Sequence, residues 1–232
     1  ENDKNDTSKE LSINEIKKIS SSLGTLSNLL ISGGEPFLRD DLAEICEVFY
    51  RQNKIEHIHL PTNGFYTEKV YNAVYSLLNK CPKINLDISL PLDGFRETHD
   101  KIKGVNGSFD KVIETAKKLA DLKKIFDNLH IYIITVVNSV NLSKIVELSE
   151  YIKDNLPVDG HNPSPMRGDP YNKSIQPLSY DEWNELSKKL LKYHSYWNKK
   201  MSNNGFKAFL ATNRVQYMYK MCGHVLKGNK WP

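Results

Sequence analysis

Gly33-Gly34-Glu35-Pro36 closes the apolar run Leu29-Leu30-Ile31-Ser32 and sets together residue types that a binding site can use. Adjacent glycines let the backbone take positive φ and let a ligand approach it closely. Glu35 places a carboxylate at the mouth of a predicted strand, and Pro36 stops that strand. Polar residues recur at the ends of the later strand-like segments: Thr62-Asn63-Gly64, Ser89, Asn138 and Arg167. A carboxylate suits an ammonium group, hydroxyls and amides suit a carboxylate or a ribose, and open backbone suits an adenine edge. This set predicts a pocket for a zwitterionic nucleoside.

The elements that must position these residues alternate. Ser12 with Glu15 forms a capping box that opens a helix, and Gly24 can end it. Strands are predicted over 29–32, 57–60, 84–90 and 130–137, with a poorer one over 158–166. Between them, Asp41 with Glu44 is expected to cap a helix carrying Leu42, Ile45 and Phe49. Thr67 is expected to cap another helix, through Leu78. A long loop with Asp93-Gly94 and Gly104 precedes a helix over 108–122, and a further helix covers 142–152. Strands alternating with helices of this length mean βαβ units and a parallel sheet, which binds ligands at the carboxyl ends of its strands.

Beyond Asp169-Pro170 the pattern turns helical. Ser179 and Glu182 open a helix reaching Met201 that carries Trp183, Leu186, Leu190 and Tyr193, and a last helix is expected over 208–226. The organisation is therefore a barrel portion, 1–170, beginning with a polar loop over 1–9, and a helical extension, 171–232, that packs on the barrel or on a following domain. Its aromatics read as packing rather than as a ligand platform.

Composition narrows the class. At 232 residues, with 39% hydrophobic and 26% charged residues, the chain has enough apolar side chains for one sizeable core. The net charge of +4 comes from lysine-rich helix faces such as Lys117-Lys118, Lys123-Lys124 and Lys188-Lys189, which read as solvated surface. No basic run carries interleaved aromatics, so a nucleic-acid partner is not expected. Neither is a membrane span, since no stretch is apolar enough. Cys46, Cys81 and Cys222 are too far apart for a disulfide framework and suit a reducing cytoplasm.

The motifs, taken together, resemble those of the radical S-adenosylmethionine (radical SAM) enzymes. ISGGEPFLRDDL is similar to their GGEP segment, which holds the amino group of the cofactor's methionine moiety. Thr62-Asn63-Gly64 resembles the TNG after that family's third strand. Ser89, in Asp87-Ile88-Ser89, matches the serine that lies against the cofactor after the fourth. Leu92-Asp93-Gly94, Thr98-His99-Asp100, Ile102-Lys103-Gly104 and Gly107-Ser108-Phe109 resemble the loop after the fourth strand in the branch that often carries a C-terminal SPASM or twitch domain. Two departures stand out. Leu90-Pro91 lengthens the segment before Asp93, and Lys103 stands where an arginine is expected, keeping the charge but losing the planar fork.

The resemblance covers residues 11–170. It implies an α/β fold, a partial (β/α)6 TIM-like barrel of parallel strands with a helical C-terminal extension. It further implies S-adenosylmethionine and a [4Fe–4S] cluster as cofactors, a reductant protein as partner and, from the SPASM branch, a peptide substrate.

One component of that family is absent. The cluster needs three thiolates at Cys-x3-Cys-x2-Cys spacing on the loop after the first strand, and this sequence has no such motif. Cys46 and Cys81 fall within or at the end of helices and read as inert buried thiols. The repeating pattern also opens on a helix, so a first strand is missing. A single segment ahead of Glu1 accounts for both gaps, and the chain reads as a fragment that does not catalyse alone. Cys222 and Trp231-Pro232 mark the place where a cluster-bearing domain is expected to begin.

Two other classes of function compete. His57 and His59 lie two apart on a predicted strand, facing one side, and His-x-His can ligate zinc in a metal-dependent hydrolase, with His161 as a remote third ligand. A Schiff-base aldolase needs a lysine within a strand, and none is well placed. A non-catalytic degenerate barrel serving as a scaffold fits the missing cysteines, but it has no need of Glu35, Asn63 and Ser89 together.

Overall fold

The structure is a computed structural model that describes residues 10–168, 170, 172–202 and 204–228. The polar start over 1–9, Asp169 and the Trp231-Pro232 end lie outside the described residues. Among those described, the chain orders as α1 (Ile13–Ser22), β1 (Asn28–Leu30), α2 (Leu42–Asn53), β2 (His57–Pro61), α3 (Thr67–Lys80), β3 (Asn85–Pro91), α4 (Arg96–Lys103) and α5 (Ser108–Leu122). There follow β4 (Leu129–Val137), α6 (Ile145–Asn155), β5 (Gly160–Pro165), α7 (Tyr180–Met201) and α8 (Gly205–Leu226).

The strands form one five-stranded parallel sheet in the order β1-β2-β3-β4-β5. Sequential order with right-handed crossovers carries every connecting helix to the same face, which curls a sheet towards a barrel instead of covering both sides. The outward face is accordingly apolar: Ile58, Leu60, Leu86, Ile88, Leu90, Ile131 and Ile133 are inaccessible to solvent and pack under the helices. The inward face carries the alternate residues, including His59, Pro61, Asp87, Ser89, His130 and Tyr132. This is the parallel α/β sheet that the sequence pattern predicts, in the partial-barrel form that the family resemblance implies.

Local structure confirms some caps and corrects others. Ser12–Glu15 and Ser179–Glu182 both close complete capping boxes. Asp41 occupies the cap position of α2 but makes no capping bond, because Arg39 takes its carboxylate at 2.6 and 3.0 Å. Thr67 is not a cap either. It lies buried in the first turn of α3, and its hydroxyl meets that of Thr115 at 2.7 Å, tying α3 to α5. The expected long loop after Asp93 holds a short helix, α4, ended by Gly104 in the left-handed region (φ 68°). Helix α8 starts earlier than its predicted start, at Gly205.

The helical extension packs on the barrel. Trp183, Leu190, Tyr193 and Trp197 of α7 and Tyr219 and Cys222 of α8 join the same apolar core as the strands. Trp183 is fully buried, donates its indole N–H to the Tyr219 carbonyl at 3.0 Å and stacks edge-on against the Tyr219 ring.

Candidate functional site

The loops after β1 and β2 are joined by one carboxylate. Glu35 Oε1 accepts from the Phe37 N–H at 3.2 Å, which starts a short 3₁₀ turn, Pro36–Leu38. Its Oε2 accepts from the Asn63 N–H at 2.6 Å. Beside it, Gly33 takes φ 155°, and a Cβ added at Gly33 or Gly34 would meet nothing within 4 Å. The glycines thus present bare backbone to open space, which is what close approach of a ligand needs.

The β2 loop is rigid. Thr62 Oγ1 accepts from the Gly64 N–H at 3.1 Å, and Asn63 Oδ1 accepts from the Phe65 N–H at 2.8 Å. Thr115 donates to the Gly64 carbonyl at 2.7 Å. Gly64 has φ 72°, and a Cβ there would stand 2.8 Å from Leu90 Cδ2. Gly64→Ala combines left-handed strain with overpacking, so a loss of about 2 kcal/mol is expected, read as a fall of roughly 6 °C in Tm.

Six of the residues singled out in the sequence, Gly33, Gly34, Pro36, Thr62, Asn63 and Ser89, line one cavity of about 280 Å³ at the strand ends. Glu35 braces its rim. Pro61, Pro91 and Ile134 complete the lining and were not anticipated, although they share Ser89's face by strand alternation. The Ser89 hydroxyl is half-buried here and makes no hydrogen bond among the described residues, so it is available to a ligand. A wider groove of about 1230 Å³ passes the same glycines along the free edge of β1, between Leu30, Ile19 and Leu38.

Asn138 and Arg167 are placed elsewhere. Asn138 is buried and spends its side chain on its own turn, accepting from the Val140 N–H at 2.9 Å and donating to the Val136 carbonyl at 3.3 Å. Arg167 reaches α8, with Nη2 at 3.1 Å from Cys222 Sγ. Asp93 is also turned away from the cavity. Its carboxylate accepts from the Val136 N–H at 2.7 Å and pairs with Lys103 Nζ at 2.8 Å, so a lysine suffices where a fork was expected. The Thr98-His99-Asp100 segment is a bracket: His99 Nδ1 accepts from the Asp93 N–H at 3.0 Å. The Asp100 carboxylate takes the N–H groups of Gly107 and Phe109 at 2.7 and 2.8 Å.

The arrangement is that of a family. The Radical SAM superfamily profile matches residues 1–152, the greater part of the chain. The chain belongs to the radical SAM superfamily. Among its curated relatives, Fe-coproporphyrin III synthase of Methanosarcina barkeri is 33% identical over 107 residues, covering 45% of this chain and 25% of that protein. A probable GTP 3′,8-cyclase of Saccharolobus solfataricus is 32% identical over 137 residues, covering 58% of this chain and 41% of the cyclase. The chain therefore spans well under half the length of either. In fold it is like native anSMEcpe, solved with bound AdoMet and Kp18Cys peptide: TM-score 0.53 and 19% identity, over 82% of this chain and 51% of that one.

The radical SAM superfamily works with S-adenosylmethionine and a [4Fe–4S] cluster. The chemistry of the cavity fits the first: a carboxylate rim, bare glycine backbone and a free hydroxyl at adjoining strand ends. The cysteines do not fit the second. Cys46, Cys81 and Cys222 are all buried and free. Burial raises the Cys46 thiol far above its usual range and pushes Cys81 up to about 11, so neither is a ready thiolate. The radical SAM barrel also separates the hydrolase ligands. His57 and His59 face inward, whereas His161, in register with Ile133, faces outward and is buried against Thr135 at 2.8 Å. No group of metal ligands among the described residues is arranged to hold an ion.

Proposed function

We propose that the cavity at the ends of β1, β2 and β3 binds S-adenosylmethionine, and that the chain is the cofactor-binding portion of a radical SAM enzyme. The observation that supports this most is the Glu35 carboxylate, which bridges the two strand-end turns and keeps lone pairs for an ammonium group beside the open Gly33-Gly34 backbone. Asn63 and Ser89 offer an amide and a hydroxyl to the carboxylate and ribose. Glu35, Gly33 and Gly34 orient the methionine end, while Thr62, through Gly64, stiffens the opposite wall.

When bound, S-adenosylmethionine and the reduced cluster supply the 5′-deoxyadenosyl radical that abstracts a hydrogen atom from the substrate. The cluster's three thiolates are not supplied by Cys46, Cys81 and Cys222, which are buried and far apart in the sequence. The electron is assigned to a reductant protein, and the location to the cytoplasm, which the three unpaired cysteines suit. No helix among the described residues is long and apolar enough to cross a membrane. A peptide is the substrate class favoured, through the resemblance of the 92–109 segment to the SPASM branch.

The full-length gene product, reconstituted anaerobically with iron and sulfide and given a reductant, is expected to form 5′-deoxyadenosine well above the level given by the present chain. No product from a folded, cluster-loaded protein would favour the non-catalytic barrel.

A further inference from the structure

The inward face of the barrel carries polar side chains that the cofactor cavity does not use. In register across three strands stand His59, Asp87 and His130, with His57 one repeat nearer the N-terminal end of β2. His59 Nε2 lies 2.9 Å from Asp87 Oδ2. Among the described residues the His59 Nδ1 makes no hydrogen bond, and neither do the rings of His57 and His130.

This row lies directly beneath the cofactor cavity. Pro61 and Ser89 line that cavity, and His59 and Asp87 precede them by two residues on the same face. Two residues of strand are about 7 Å. The pair is also reachable, since 47% of the His59 side chain is exposed against 15% for Asp87. Leu30 of β1, in register with His59, adds no charge from the open side. The other ionisable neighbours are His57, His130, Tyr132 and Asp159, and Asp159 is itself paired with Lys123. Burial raises the Asp87 carboxyl above its usual range, and the three histidines pull it back.

A carboxylate that accepts from Nε2–H leaves the lone pair of the neutral ring on Nδ1, the nitrogen without a partner among the described residues. We infer that His59 is a general base for the substrate, oriented by Asp87, and that the substrate carries a hydroxyl or ammonium group about one strand repeat below the carbon facing the cofactor. In the step, Nδ1 takes the proton from the substrate's O–H or N–H. The bonding pair stays on the substrate atom, and Asp87 offsets the imidazolium that forms. The inference rests on the reading of the cavity above as the S-adenosylmethionine site.

Diethyl pyrocarbonate tests it on the chain as it stands, with peptide mass spectrometry resolving each histidine. His59 is expected to be carbethoxylated at least about 5-fold faster than the exposed His224, an excess that Asp87→Asn removes. His161, buried behind the sheet, stays unmodified while the fold is intact, so a misfolded variant is recognised in the same digest, and Asp87→Ser then takes its place. A His59 no faster than His224, or indifferent to loss of the carboxylate, overturns the assignment.

In the reconstituted full-length protein, S-adenosylmethionine is expected to shield His59 and leave His224 reactive. Absence of shielding in a protein that makes 5′-deoxyadenosine separates the pair from the cofactor cavity and overturns the inference. Absence of 5′-deoxyadenosine overturns the cofactor reading instead, while the His59 rates still decide whether the pair is an activated base.

Discussion

Replacing Glu35 by alanine is expected to weaken S-adenosylmethionine binding by about two orders of magnitude, roughly 3 kcal/mol. Two losses combine. The carboxylate is the group proposed to hold the ligand's ammonium, a charge-assisted bond that nothing else on the rim replaces. It is also the acceptor for the Asn63 and Phe37 N–H groups, so its removal frees the turn carrying Asn63 from the turn carrying Gly34.

Glu35→Gln separates these effects. It keeps the shape and one acceptor oxygen, enough for the Asn63 N–H that joins the turns, while the charge and the bond from the Phe37 N–H are lost, and a loss of about 10-fold is expected. Titration calorimetry on the cluster-loaded full-length protein, with a thermal melt of each variant, reads both. A glutamine variant that binds as tightly as the parent would remove the ammonium from Glu35.

How far the fold was legible in the sequence follows from how local each cause is. The parallel sheet was readable because short apolar segments alternate with helices, so that each strand's partner lies one helix away, and both serine capping boxes are set within four residues. Thr67 misled because a threonine before a helical run looks like a cap whether its hydroxyl turns to the backbone or, as here, to Thr115 across 48 residues. Asp41 misled for a similar reason, since Arg39 competes for its carboxylate.

Within the candidate site, strand-end position located the cavity. Asn138 and Arg167 share that position, but sequence could not show which way each side chain turns. Asn138 closes its own turn, and Arg167 meets a helix 55 residues further on. The Asp87–His59 pair was half visible: the His57-x-His59 alternation fixed a common face, but pairing with β3 had to be seen in register.

Acid is expected to unfold the protein sooner than its carboxylates alone require, because three buried histidines are held neutral. Burial is the main cause in each: His99 is lowered to about 4, with Lys103 adding to it, His194 to about 4, and His161 to about 3, with His194 adding to it. All are nearly inaccessible to solvent and bonded, to Ser108, Tyr219 and Thr135 respectively. The sign follows from their depressed folded-state values. Above the unfolded value of about 6.5 both states are neutral and stability is whole. As pH falls below it, the unfolded chain takes up protons that the native state refuses, and stability drops until the native histidines protonate, near pH 4 for two of them and lower for His161.

Each histidine contributes a slope of roughly 1 kcal/mol per pH unit in that window. Three together can exhaust a typical total of about 5–15 kcal/mol before pH 4 is reached. Asp87, raised by burial, works the other way but only at the acid end of the range. The urea midpoint is therefore expected to be flat above pH 7 and to fall steeply from pH 6 to pH 4. His194→Gln, which keeps a hydrogen-bonding group against Tyr219 but cannot take up a proton, should lessen the slope by about a third. A midpoint that does not move between pH 7 and pH 5 would mean that these rings are solvated, and that α7 and α8 are not packed against the barrel as the buried His161 and His194 require.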